Sequence, residues 1–174
     1  MSKELNLEDF VLGGTPVEVL RLYQELPQIA AENLFGELDE NIVIVDTEAT
    51  GLSFRNDELI QIAACRLDKC EITDWFDTFV DPSKPLKDEI VHLTGIDDSD
   101  LEGAPSPQEA LAELVEFVGD SMLVAHNARF DSVFCTKHPQ GYPLLENIWL
   151  DSLDRARVAL PRFKGHRLIE LSQA

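Results

Sequence analysis

The sequence predicts an α/β fold: one mixed sheet, three antiparallel strands and then parallel strands, with flanking helices. Three observations predict it. A short apolar run rich in β-branched residues occupies 42–45. Two further strand-like segments, 59–67 and 72–80, follow on short links, which imply antiparallel pairing. Beyond Pro85, helix and strand signals alternate, so the remaining strands need crossovers and lie parallel to a neighbour.

Taken in order, residues 1–40 read as a helical N-terminal prefix, set apart from a domain spanning 41–174. Thr15-Pro16-Val17-Glu18 is a capping box with proline at the first helical position. Val19, Leu22, Tyr23 and Leu26 then mark one helix face, Pro27 ends it, and a second short helix is expected over about 28–34. The run at 42–45 predicts a strand covered on both faces. Asp68-Lys69-Cys70-Glu71 suits a hairpin turn between the next two strands. Ser106-Pro107-Gln108-Glu109 is a second capping box, opening a helix that carries Leu111, Leu114, Val115 and Val118 and stops at Gly119. A buried strand at 122–125, a helix over about 129–137, a short strand at 148–150 and a helix over about 151–160 complete the pattern. Trp75 and Trp149 are expected in the core, and His138, beside Pro139, at an exposed helix end.

The chain has 174 residues, enough for one domain with a proper core, and its 44% hydrophobic and 27% charged residues are ordinary for a globular protein. No apolar run reaches bilayer length, and Met1-Ser2-Lys3-Glu4 opens no secretory leader, so no membrane partner is expected. Cys65, Cys70 and Cys135 are odd in number and form no CxxC, which favours reduced thiols and a cytoplasmic location. The formal charge of −19, from 14 Lys and Arg against 33 Asp and Glu, argues against gripping a duplex along many phosphates. A protein that takes only a strand terminus, with divalent cations neutralising the phosphate, remains permitted. So does one with no nucleic-acid role.

Two motifs carry chemistry. Asp46-Thr47-Glu48-Ala49-Thr50-Gly51-Leu52 sits at the end of the first strand, and carboxylates at i and i+2 on an extended chain share a face. Such a pair repels itself unless a cation intervenes, and oxygen ligands of this kind suit Mg²⁺ or Mn²⁺. Taken alone the pair fits a solvated acidic turn better. The second motif, His126-Asn127-Ala128-Arg129-Phe130-Asp131, also follows an apolar strand and runs into a helix, which Asn127 could cap and whose dipole Asp131 could favour. Two strand ends thus deliver acid to one edge of the sheet, where open α/β sheets place their sites.

In that order the motifs resemble the DEDD superfamily of 3′→5′ exonucleases (DnaQ-like, histidine subtype). The stretch 42–52 is similar to its first motif and 126–131 to its second. His92-Leu93-Thr94-Gly95-Ile96 resembles the loop seen in relatives of the polymerase III epsilon subunit and of PolC-type exonuclease domains. Trp149-Leu150-Asp151-Ser152-Leu153 with Arg155-Ala156-Arg157 is similar to the segment after the second motif. The resemblance spans about 41–174 and implies a ribonuclease-H-like sheet. It also implies two-metal hydrolysis at phosphorus with release of 5′-mononucleotides, two Mg²⁺ or Mn²⁺ being the cofactors. Asp46 would bridge both ions, Glu48 would bind one, and Asp131 would complete the set, making these three the catalytic and metal residues. Ala49, Thr50, Gly51 and Leu52 would hold the terminal nucleotide, His92 and Ile96 would pack around its base, and His126, Asn127 and Phe130 would shape the pocket. The expected partner is a single-stranded 3′ end, DNA favoured over RNA, with polymerase or replication proteins nearby.

One feature of the family is missing. Its third motif, H-x-A-x-x-D, supplies the general base and a fourth carboxylate, and no such string occurs between residue 131 and Ala174. His166 is followed instead by Arg167-Leu168-Ile169-Glu170-Leu171, the helix expected ahead of that motif. The expectation is a chain truncated before its third motif and inactive as it stands. The alternative is a catalytically inactive module of the same fold that binds protein partners.

Overall fold

The first strand follows from its β-branched run. In the computed structural model, which describes residues 41–69, 71–162 and 165–172, β1 spans Ile42–Ala49. Val43, Val45, Thr47 and Ala49 point into the core. Strand β2, Leu59–Asp68, pairs antiparallel with β1, setting Asp46 opposite Ala63 and Glu48 opposite Gln61. Strand β3, Glu71–Phe79, pairs antiparallel with β2, and Lys69 after β2 takes a φ of 49°. Cys70 and the helices expected at 15–26 and 28–34 lie outside the described residues.

Helix α1, Asp88–Thr94, is short and ends at Gly95, whose φ of 76° lets its amide close back on Val91. Helix α2, Pro107–Val118, forms as its capping box requires: Ser106 Oγ accepts from the Glu109 amide while Glu109 accepts from the Ser106 amide. It buries Ala110, Leu111, Leu114 and Val118 and stops at Gly119. Strand β4, Met122–Ala125, lies parallel to β1, and β5, Trp149–Asp151, lies parallel to β4. Helix α3, Ala128–Cys135, and a 3₁₀ helix at Pro139–Leu145 connect them; α4, Ser152–Ala159, and α5, Leu168–Leu171, follow. The sheet order β3-β2-β1-β4-β5 is the mixed, ribonuclease-H-like arrangement that the sequence predicts.

The main core joins Val43, Val45, Ile62 and Leu123 to Leu111, Leu114, Val118 and Phe134, so α2 and α3 cover one sheet face. A smaller cluster of Ile60, Leu86, Ile90, Ile96 and Leu101 seats α1. Three expectations need correction. The strand β1 is not covered on both faces by the described residues: Ile44 on the second face is 39% exposed. Trp75, on the same face of edge strand β3, is 68% exposed rather than core, whereas Trp149 packs on the core and donates to the Leu144 carbonyl at 2.9 Å. His138 is not a surface residue; its side chain is 20% exposed and bonds Glu58 and Gln108. Cys65 and Cys135 are free thiols. No helix among the described residues is long and apolar enough to cross a membrane.

Candidate active site

Because successive strand residues alternate in direction, burying Val45, Thr47 and Ala49 turns Asp46 and Glu48 together onto the opposite face. Both carboxyls titrate above the ordinary range. For Asp46 the cause is reduced solvation against the sheet, partly offset by a backbone hydrogen bond from Thr47 and by His126. For Glu48 it is burial, reinforced by repulsion from Asp46.

The third acid arrives from the neighbouring strand. Strand β4 ends at Ala125, the chain turns through Asn127 in the left-handed region (φ 71°), and α3 places Asp131 in its first turn. Asp131 is only 2% exposed, and Thr47 Oγ1 donates to it at 2.8 Å. Burial pushes its pKa up to about 7, with Asp46 adding repulsion and the Thr47 hydrogen bond pulling the other way. Asn127 occupies the N-cap position of α3 but its side chain makes no cap. Asp151 at the end of β5 takes that role, accepting from the amides of Asn127 and Ala128 at 3.1 and 3.0 Å while also capping α4 through the amides of Leu153 and Asp154. His126 is pinned between Ser152 Oγ at 3.0 Å and the His166 carbonyl at 2.7 Å, so its Nε2 carries the proton.

The loop between β1 and β2 is fixed by Asp57. Its carboxylate accepts from Thr50 Oγ1 at 3.0 Å and from the Ser53 amide at 2.9 Å, and Lys84 Nζ stands 3.6 Å away. Gly51 is where this carboxylate crosses closely over the backbone: a Cβ there would meet Asp57 Oδ2 at 2.6 Å. Glu58 next to it accepts from Lys137 Nζ at 2.6 Å and His138 Nε2 at 2.9 Å, tying the loop to the end of α3. Leu52 projects from the loop, 82% exposed.

Asp46 thus lies within electrostatic reach of Glu48, His126 and Asp131, while Thr50, Gly51 and Leu52 follow directly on β1 and Phe130 precedes Asp131 on α3. Ala49 is buried beneath them. His92 is exposed on α1, and Ile96 is buried among Ile60, Leu86, Ile90 and Leu101, supporting α1 from behind rather than facing an open pocket. Sequence reasoning missed Thr47, Asp57 and Asp151 as organisers of the site. A signal existed only for Asp151, which follows an apolar strand and precedes a helix, as caps do.

Among the described residues no three His, Cys, Asp or Glu side chains stand ready-made as a metal-holding group. The donor chemistry nonetheless fits a hard dication. Mg²⁺ and Mn²⁺ take oxygen ligands, need one or two carboxylates, and complete their shells with water and substrate phosphate. None of the ion pairs among the described residues engages Asp46, Glu48 or Asp131.

Comparison with known proteins agrees with this fold. The PolC-type DNA polymerase III of Halalkalibacterium halodurans is 42% identical over 133 residues, covering 75% of this chain and 9% of the relative. That of Bacillus subtilis is 39% identical over 142 residues, covering 80% and 10%. The chain thus spans about a tenth of the length of these relatives. Among solved structures, exonuclease X in complex with 5′-overhanging duplex DNA superposes with a TM-score of 0.60 at 22% identity, over 76% of this chain and 71% of that one. Exonuclease I with the inhibitor BCBP gives 0.63 at 20% identity, over 77% and 36%. The exonuclease family model RNase_T matches residues 43–174, and the chain belongs to that family.

Proposed function

We propose that this chain carries the acidic, cation-holding part of a 3′→5′ exonuclease site that removes 5′-mononucleotides from single-stranded ends, DNA in preference to RNA. What supports this reading is that Asp46 and Glu48 share a face of β1, that Asp131 lies within electrostatic reach of Asp46, and that all three titrate high in a chain of the exonuclease family. Asp46 and Glu48 would hold two Mg²⁺ or Mn²⁺ ions, with Asp131 completing the set. Such ions, when bound, neutralise the phosphate and activate the attacking water. The chain's own residues do the positioning. Thr47 orients Asp131, Asp57 stiffens the loop over which the terminal nucleotide lies, and His126 fixes the floor between β4 and α4. The preference for single strands follows from the −19 charge, which opposes a long duplex footprint.

On the same proposal, 41–174 is the exonuclease domain and 1–40 a separate prefix, the location is cytoplasmic, and the partners belong to replication, as the polymerase relatives suggest. No H-x-A-x-x-D string follows residue 131 in these 174 residues, so these residues alone are expected to be inactive and the assay uses the full-length gene product. Hydrolysis of a 3′-labelled oligonucleotide with Mg²⁺ or Mn²⁺ is expected, with Asp46→Ala slower by about a thousandfold. No hydrolysis by the full-length protein, with Asp46→Ala indistinguishable, would leave the protein-binding module as the better account. Matched DNA and RNA strands decide the sugar preference.

A further inference from the structure

Helix α3 carries Asp131 in its first turn, and a carboxylate from elsewhere in the chain holds each end of it. Before the helix, Asp151 of β5 accepts from the Asn127 and Ala128 amides. Beyond it, Lys137 Nζ and His138 Nε2 both donate to Glu58, at 2.6 and 2.9 Å, and Lys137 also donates to the Asp57 carbonyl. An anion at the start and cations at the end both suit the helix dipole. His138 Nδ1 accepts from Gln108 Nε2 at 3.1 Å, so the proton sits on Nε2, toward Glu58, and the first turn of α2 joins the cluster. The Glu58, Lys137 and His138 side chains are 23%, 17% and 20% exposed, which limits screening by salt and solvent. The backbone of Glu58 has a second set of partners. The Thr50 amide donates to its carbonyl at 2.8 Å, and its own amide donates to Thr50 Oγ1 at 3.1 Å.

Glu58 therefore joins two parts of the candidate site without belonging to either. Through its backbone it holds Thr50, in the loop proposed to receive the terminal nucleotide. Through its side chain it holds the far end of the helix that presents Asp131. We propose that Glu58, clasped by Lys137 and His138, is a positioning residue for hydrolysis: it keeps the Thr50 loop in register with α3, and so the nucleotide in register with the buried acid. This rests on the exonuclease reading and deepens it. The Asp131 carboxyl is held by Thr47, so its direction depends on where α3 lies. Displacement at phosphorus tolerates little error, since misplacing reacting groups by about 1 Å costs about a hundredfold in rate. Groups that orient a metal ligand are worth about tenfold or more in metal affinity.

The test uses the full-length protein with Glu58→Gln, Lys137→Met and Lys137→Arg, the last keeping a charged donor. In metal-free buffer, hydrogen–deuterium exchange is expected to quicken in Glu58→Gln and Lys137→Met over both 50–58 and 128–135, two segments far apart in sequence. Mn²⁺ binding, followed by its electron paramagnetic resonance signal, should weaken about tenfold in the same two variants. Their kcat, measured well below the melting temperature, should fall about tenfold, and the double variant Glu58→Gln with Lys137→Met should be no slower than the slower single one. Lys137→Arg is expected to keep most of each property. A role in stability alone would lower the melting temperature and leave Mn²⁺ binding and kcat of the folded protein unchanged. That result, or quickened exchange confined to 50–58, would overturn the inference while the exonuclease reading stands. An unmodified protein that matches Asp46→Ala in hydrolysis would remove that reading, and this one with it.

Discussion

Glu58 accepts from Lys137 and His138, and Asp57 from Thr50 and the Ser53 amide with Lys84 3.6 Å away; Asp46, Glu48 and Asp131, on the strand and helix that flank the same loop, have no ion-pair partner among the described residues. Burial acts on both groups in the same sense, raising each carboxyl. For Glu58 the hydrogen bonds and charges of Lys137 and His138 outweigh it, and for Asp57 the Ser53 amide, Thr50 and the nearby lysines do, so both titrate below the ordinary range. For the other three the opposing contributions are too weak. Acids that hold a fold together are answered by donors within the chain.

The comparison breaks most sharply at Asp131. Its pKa in the folded chain is about 7, well above the unfolded range, so the folded state holds the proton that the unfolded state releases. Stability therefore falls as pH rises from about 4 to 7, and the penalty then stays constant. In metal-free buffer Asp131→Asn, which keeps an acceptor for Thr47, is expected to gain on the order of 3 kcal/mol above pH 7 and nothing below pH 4. Thermal melts across that range check this. Adding Mg²⁺ should stabilise the unmodified protein more than the variant. An Asp131→Asn protein no more stable than its parent at pH 8 would show the acid to be compensated after all.

Glu58 should behave in the opposite sense. Its folded pKa is depressed, so its contribution is present above the unfolded value, about 4.3, and is lost as pH falls through the folded one. Glu58→Gln is expected to cost about 1–2 kcal/mol at pH 7, a difference that closes at acid pH in urea titrations. The smallest effect belongs to the bridge between the two groups. Gly51→Ala places a Cβ 2.6 Å from Asp57 Oδ2, so the carboxylate must leave Thr50 or Ser53. A loss of about 1 kcal/mol is expected, with a larger proportional loss of hydrolysis because the loop over the nucleotide shifts. Unchanged activity would separate the loop from the site.

Much of this was legible in the chain because it is local. The capping box at Ser106, the stop at Gly119, the hairpin order of β1 to β3 and the two acidic motifs each depend on residues a few positions apart. The errors came from partners far away in sequence. His138 reads as a helix-end surface residue until Glu58, 80 positions earlier, is folded against it. Asn127 looks like a cap until Asp151, 24 positions later, takes its place. Trp75 has a core composition, but edge strand β3 turns it away from α2 and α3.

The sequence by itself determined most of the strands and helices, the antiparallel or parallel sense of the strands, and that Asp46 and Glu48 share a face, because strand alternation and capping depend on backbone geometry that a few neighbouring residues dictate. Only the tertiary structure decided which acids are answered by cations, that Asp131 is buried against Thr47, and that Phe54 is braced by Phe130 and Phe134. Solvation and pairing depend on whatever the rest of the chain brings within a few ångströms, and no local pattern carries that information.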